Sequence, residues 1–385
     1  MERRSYLAAV GTVGAGALGG CLREPSEQSS QAGITVERVV EELTHPWGLA
    51  TGGPEDALLV TERDPGRLQR VDPTGGTATE ISGVPAVDAA GQGGLLDVTW
   101  GPDGSWVYLT YAIATEDGTT TRLGRGRLDD GGDRLTDFET LYTAEPAVDS
   151  AGHYGSRVAF GPEGYLYMTV GDRQFKDFGS EHVAQDRSND LGTTLRLQAD
   201  GSIPADNPFV DDETARDAIY SYGHRNAQGL DIHPETGAIW ESEFGESDGD
   251  EINVIERGGN YGWPVADEGC TYGSGQPIGV SHDDREDVIA PVFGWPCGED
   301  GPAPSGMAFY DGAAFPEWQG DLFVGGLAGQ QLVHLTVDGE EVTAREPLVA
   351  DRGWRVRAVA VGSDGGMYLA IDDGSAPIVR LLPDA

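Results

Sequence analysis

The chain has 385 residues, with 65 acidic against 25 basic side chains and a formal charge of −40. That balance argues against nucleic-acid binding, which needs clustered arginine and lysine to neutralise phosphate. Acidic residues run from Glu37 to Asp384 and Lys176 is the single lysine, so the surface reads as one adapted to high salt, of the haloarchaeal kind, where counterions screen self-repulsion.

The N-terminus reads as an export signal. Arg3 and Arg4 precede Ser5, Tyr6 and Leu7, and an apolar, glycine-rich run leads to Gly19, Gly20 and Cys21. This is a twin-arginine signal ending in a lipobox-like site, too short and glycine-rich to make a good membrane span. Residues 1–20 are therefore expected to be a signal, 21–33 a flexible tether and 34–385 the folded domain. A lipid on Cys21 would hold the exported protein at the outer face of the cell membrane, its single membrane contact. Cys270 and Cys297 could then form a disulfide or stay as two thiols, and the residues leave both open.

A hairpin pattern follows: an apolar strand, a turn with Pro, Asp or Gly, and a second apolar strand. Its six copies span residues 51–62, 100–112, 160–172, 232–243, 314–326 and 361–373. No stretch between them sustains a helical period. Two hairpins make a four-stranded blade, so the repeat predicts an all-β, six-bladed β-propeller. Wide spacings after the third and fourth copies predict inserted loops near 173–220 and 244–305, covering one end of the central channel.

Several segments carry side chains suited to chemistry. HYGSR (153–157) puts His153 at a strand start beside the channel mouth, as a general base or as a structural histidine bonded to a loop carbonyl. GHRNAQG (223–229) gathers Arg225, Asn226 and Gln228, planar groups suited to an oxygen-rich ligand or to bracing a turn. EFGESDGDEIN (243–253) offers hard oxygen ligands for calcium without EF-hand spacing, or a solvated acidic loop. NYGWP (260–264) is an aromatic turn. Arg355 and Arg357 share one strand face and suit an anionic partner or the acidic surface. No Ser-His-Asp or Cys-His set stands out, nor a phosphate-cradling glycine loop.

In order, HPWG (45–48), GQGGLLDV (91–98), HYGSR, AQDRSNDLGTTLRLQADGSIPADNPF (184–209), GHRNAQGLDIHP (223–234), GDEIN (249–253), NYGWP, APSGMAFY (303–310) and RVRAV (355–359) make one set. This set resembles the soluble quinoprotein sugar dehydrogenases of the glucose/sorbosone dehydrogenase family, over about residues 40–380. The resemblance implies oxidation of an aldose at C1 to a lactone. Hydride would pass to pyrroloquinoline quinone (PQQ), with calcium, and electrons onward to an external acceptor, a quinone or a small redox protein.

The resemblance also implies roles. His153 would be the base, and Arg225 would stabilise the developing oxyanion. Gln92, Arg225, Asn226, Gln228, Asp250, Tyr272, Ser305, Arg355 and Arg357 would contact the cofactor or line its pocket. Main-chain oxygens near Gly245 and Glu246 would hold the cofactor's calcium, and Glu251 with Tyr261 a second, structural calcium. The chain departs from the family at three points. Phe244, Gly245 and Glu246 stand where His-Gly-Pro is common, Gly326 to Gly329 replace a lysine-bearing loop, and Gly152 replaces an acidic residue before the histidine. The alternatives are a calcium-dependent propeller lactonase and a non-catalytic sugar-binding or scaffold lipoprotein.

Overall fold

The computed structural model describes residues 33–53 and 56–384. The signal and nearly all of the tether lie outside them. Twenty-four strands form six antiparallel sheets of four strands each, so the six-bladed propeller predicted from the repeat is the fold.

Five blades run in chain order: β2 (Pro46–Ala50) to β5 (Thr77–Ile81), β6 (Leu95–Trp100) to β9 (Leu135–Thr143), β10 (Val158–Phe160) to β13 (Ile219–Tyr222), β14 (Ala227–Ile232) to β17 (Phe293–Trp295), and β18 (Pro304–Phe309) to β21 (Glu341–Leu348). The sixth is made of β22 (Val356–Val361), β23 (Met367–Ile371), β24 (Ala376–Pro383) and, outermost, the N-terminal β1 (Ile34–Leu43). Pairing of Ile34 with Pro383 through Leu43 with Ala376 thus fastens the two ends of the ring.

Every copy of the sequence repeat is the innermost hairpin of its blade. Its turn glycine takes a left-handed conformation, as at Gly104 (φ 67°) and Gly164 (φ 80°), where a side chain would be strained. Each junction between neighbouring blades has its own apolar cluster, so the core is a ring of six. The wide spacings hold strands as well as loops. Residues 173–220 contain β12 (Thr193–Leu197) and the start of β13, and 244–305 contain β16 (Asp250–Ile255), β17 and the start of β18. The longest stretches without a strand are 171–192, 198–218 and 256–292. Cys270 and Cys297 are disulfide-bonded, pinning the last of these to the segment after β17.

The six innermost strands line the channel, and five carry a register shift near their start. A bulge bends the strand and re-aims the side chain it carries. The residues at these bulges include Trp47, Asp97, Gln228, Ser305 and Arg357. They meet around Arg157, whose guanidinium bonds Asp97 Oδ1 (2.8 Å), the Gln228 carbonyl (2.7 Å) and the Arg357 carbonyl (3.2 Å) and lies over the Trp47 ring at 4.1 Å. This buried pair crosses the channel. Beyond it, toward the inner hairpin turns, lies a cavity of about 440 Å³. On the other side lie His153, Arg225 and the long loops.

Candidate active site

His153 sits in a tight turn before β10, at φ 45°, a conformation unusual for a residue with a side chain. The turn is held closely. Gln92 Oε1 accepts the His153 N–H at 2.8 Å, and a Cβ on Gly171 would meet the His153 carbonyl at 2.3 Å. Arg173 clamps the preceding segment by donating to the Gly152 and Ser150 carbonyls, with its guanidinium over the Tyr154 ring at 3.8 Å.

Asp172, just beyond β11 (Leu166–Val170), faces the imidazole. Its Oδ1 is 2.6 Å from His153 Nδ1, and its Oδ2 accepts the Trp263 indole N–H at 2.9 Å. Burial pushes the Asp172 carboxyl up, but His153, Arg225 and His182 outweigh it and hold the group below its ordinary value. An ionised carboxylate only accepts, so His153 Nδ1 carries the hydrogen and the Nε2 lone pair is left for an incoming proton. Burial in turn pushes the His153 pKa down, against the pull of Asp172. The imidazole therefore stays neutral, and able to act as a base, below the usual histidine range.

Arg225 lies beside this pair, 5% exposed. Its Nη2 donates to Glu246 Oε2 at 2.5 Å, its Nη1 to the Phe244 carbonyl at 3.3 Å, and its backbone N–H to Glu243 Oε2 at 2.6 Å. A second cationic corner lies across the mouth. Arg357 donates to Gln228 Oε1 (2.7 Å), Ser305 Oγ (3.3 Å) and Asp372 Oδ2 (2.5 Å), and His45 Nδ1 lies 3.0 Å from Asp372 Oδ1. Burial lowers the Arg357 pKa to about 10, with Asp372 opposing. Arg225 Nε, Asn226 Nδ2 and Arg357 Nε are buried and have no hydrogen-bond partner among the described residues. Unmade bonds at buried donors are costly, so three at one mouth suit an oxygen-rich, anionic ligand.

Residues 43–380 match the sequence model of the Glucose / Sorbosone dehydrogenase family. The chain belongs to that family. Aldose sugar dehydrogenase YliI of Escherichia coli (strain K12) is 38% identical over 363 residues, 92% of this chain and 94% of the relative. The apo crystal structure of the soluble aldose sugar dehydrogenase from Escherichia coli has a TM-score of 0.85 at 38% identity, covering 91% of this chain and 100% of that one. The PQQ-bound aldose sugar dehydrogenase from Streptomyces coelicolor has a TM-score of 0.74 at 30% identity, over 91% and 98% of the two chains.

In this family member the acidic loop after β15 (Ile239–Glu243) and the start of β16 form a second centre. Glu243, Glu251, Tyr261 and Asp267, with the Arg225 side chain at one wall, line a void of about 10 Å³, room for one small ion. Burial, then Glu243 and Asp267, push the Glu251 carboxyl well up, and burial pushes Asp267 up to about 8. Carboxylates crowded this way need a cation or protons. Removing divalent ions with a chelator is expected to lower the melting temperature, and calcium should restore it. Glu251→Gln should abolish that response in thermal melts.

Three further residues of the set have contacts of their own. Asp250 braces the loop, accepting from Gly245 N (3.0 Å) and Ala303 N (2.8 Å). Tyr272 is 67% exposed on the 256–292 loop. Arg355 is half-exposed, donates to the Leu327 carbonyl and lies 3.9 Å from Asp372. The sequence assigns no role to Asp172 or Asp372; His45 and Trp263 lie in matching strings without a role, and Lys176 stands out only as the single lysine. The signal for two of them is the repeat itself, because Asp172 and Asp372 follow the second strand of their hairpins within two residues.

Proposed function

We propose that the protein is an exported, calcium-dependent PQQ enzyme that oxidises aldose sugars at C1 to lactones and passes electrons to an external acceptor. The observation that carries this reading is the set of orphaned donors at Arg225, Asn226 and Arg357 beside an Asp172-oriented base. PQQ, when bound, supplies a two-electron acceptor for hydride. The residues that would hold it are Arg225, Asn226, Gln228, Ser305 and Arg357, with Gln92 at the edge of the mouth.

The chain's own groups do the rest. His153 Nε2 takes the proton of the C1 hydroxyl, and Asp172 stabilises the imidazolium that results. Arg225 offers a fixed positive charge to an oxygen that becomes anionic only as the reaction proceeds, so it favours the transition state over the bound substrate. Glu251 and Tyr261, with Glu243 and Asp267, would hold a structural calcium. Main-chain oxygens of Gly245 and Glu246 would hold the cofactor's calcium. The acidic surface and the Cys21 signal fit a lipid-anchored enzyme working outside the cell in high salt. An electron acceptor at the membrane, a quinone or a small redox protein, would suit that placement.

The lactonase alternative needs a metal cage at the channel centre, where this chain has the Arg157 guanidinium. A binding or scaffold protein has no use for an oriented, neutral histidine. The test is a PQQ titration in high salt with calcium, followed by absorbance. Saturable binding is expected, about 10- to 100-fold weaker in Arg225→Met and Arg357→Met, since each loses charge-assisted hydrogen bonds. No absorbance change in the unaltered protein would overturn the reading.

The lowered His153 pKa also sets a pH dependence. The acid limb of kcat/KM for the sugar is expected below pH 6.5, because the base form persists to lower pH than in free histidine. A limb above that value would contradict burial as the dominant influence.

A further inference from the structure

The chain's single lysine stands at this mouth. Lys176, on the 171–192 loop, donates to Glu246 Oε1 at 2.6 Å and Oε2 at 2.5 Å, while Arg225 Nη2 also donates to Oε2 at 2.5 Å. Glu246 is 6% exposed and Lys176 53%. The carboxylate is thus shared between a buried guanidinium and an ammonium at the rim. Phe178 lies 5.7 Å from the Lys176 Nζ and packs edge-on against Trp263, which in turn lies 5.2 Å from the Arg225 guanidinium carbon. Elsewhere the ion pairs among the described residues use arginine or histidine. An ammonium is a compact charge with three rotatable donors, able to follow a carboxylate as it swings, where an arginine fork would fix it.

A ligand anion that takes the side-on fork of Arg225, its unpartnered Nε together with Nη2, must displace Glu246 from Nη2. A buried carboxylate stripped of every partner would be very costly, but one that keeps a cation is not. We propose that Glu246 is a built-in competitor for anions at Arg225, and that Lys176 is the positioning residue that retains Glu246 when it leaves. The inference rests on Arg225 as an anion-binding group of the PQQ site.

Removing each partner has opposite consequences. Glu246→Gln removes the competitor, and PQQ is expected to bind about tenfold tighter, the scale of one charge-assisted hydrogen bond. Lys176→Met leaves Glu246 to Arg225 alone, and binding is expected to weaken by about the same factor. The double variant should match Glu246→Gln, because Lys176 acts only through Glu246, and Lys176→Arg should recover only part of the affinity, since the charge returns but the fork fixes the carboxylate. The experiment is absorbance titration of PQQ into the four variants and the unaltered protein at fixed calcium. A parallel calcium-free titration with sulfate is read as thermal stabilisation and should rank the variants alike. Both single variants shifting affinity in one direction, or a double variant that keeps the Lys176→Met loss, overturns the inference. PQQ failing to bind the unaltered protein while sulfate ranks the variants as expected overturns the cofactor reading and leaves the competition standing. Sulfate failing to rank them overturns the competition.

Discussion

Replacing His153 by alanine is expected to lower sugar oxidation by about 100- to 10,000-fold, the usual contribution of a positioned general base. PQQ affinity should change little, because the imidazole makes none of the cationic contacts at the mouth. Asp172→Asn should fall in the same range for a different reason. An amide can donate to Nδ1 as readily as accept from it, so the Nε2 lone pair is no longer assured and the imidazolium loses its counter-charge. Steady-state kinetics at saturating PQQ, with a parallel binding titration, separates the two effects. Unchanged turnover in His153→Ala would remove His153 as the base, and unchanged turnover in Asp172→Asn would remove the orienting role.

Breaking the pair at the channel centre is expected to be the largest single loss of stability. Arg157 and Asp97 are both buried and join the first, second, third, fourth and sixth blades through Trp47, Asp97, the Gln228 carbonyl and the Arg357 carbonyl. Asp97 also accepts the Val158 N–H at 2.9 Å. Arg157→Met strands a carboxylate in a low-dielectric interior, which costs about 3–5 kcal/mol. Replacing Asp97 by leucine at the same time should recover part of the loss, since an uncompensated charge is worse than none. Denaturant unfolding of the two variants against the unaltered chain measures this. A loss under about 1 kcal/mol for the single variant would place the pair among weak surface bridges instead.

The architecture was legible because the inner hairpin of every blade carries the same turn, and that turn needs glycine or a polar residue whatever surrounds it. The outer strands were not. β12 lies inside a polar string and β17 has three residues, so neither shows a periodic pattern, and the loops read from sequence proved too long. Closure of the ring by β1 with β24 was also hidden, since pairing across 300 residues and more leaves no local trace.

At the site, His153, Arg225, Asn226 and Gln228 could be found because they sit in short glycine-bounded runs. Their orienting partners are another matter. Glu62 and Glu243 end the second strand of a hairpin, Asp172 and Asp372 follow it within two residues, and each bonds a residue at the start of an inner strand or in the turn before it. In a chain with 65 acidic residues such a position is lost among many until the register is known. The disulfide likewise needed three dimensions, because its cysteines stand 27 positions apart.

The most direct measurement is reconstitution. Apoprotein in high salt is mixed with PQQ and calcium, and reduction of an artificial electron-accepting dye is followed with a panel of aldoses. Aldose-dependent reduction that requires both additions, with lactone as product, is the result expected here. No reduction with any aldose, together with lactone hydrolysis that needs the cation alone, would contradict it.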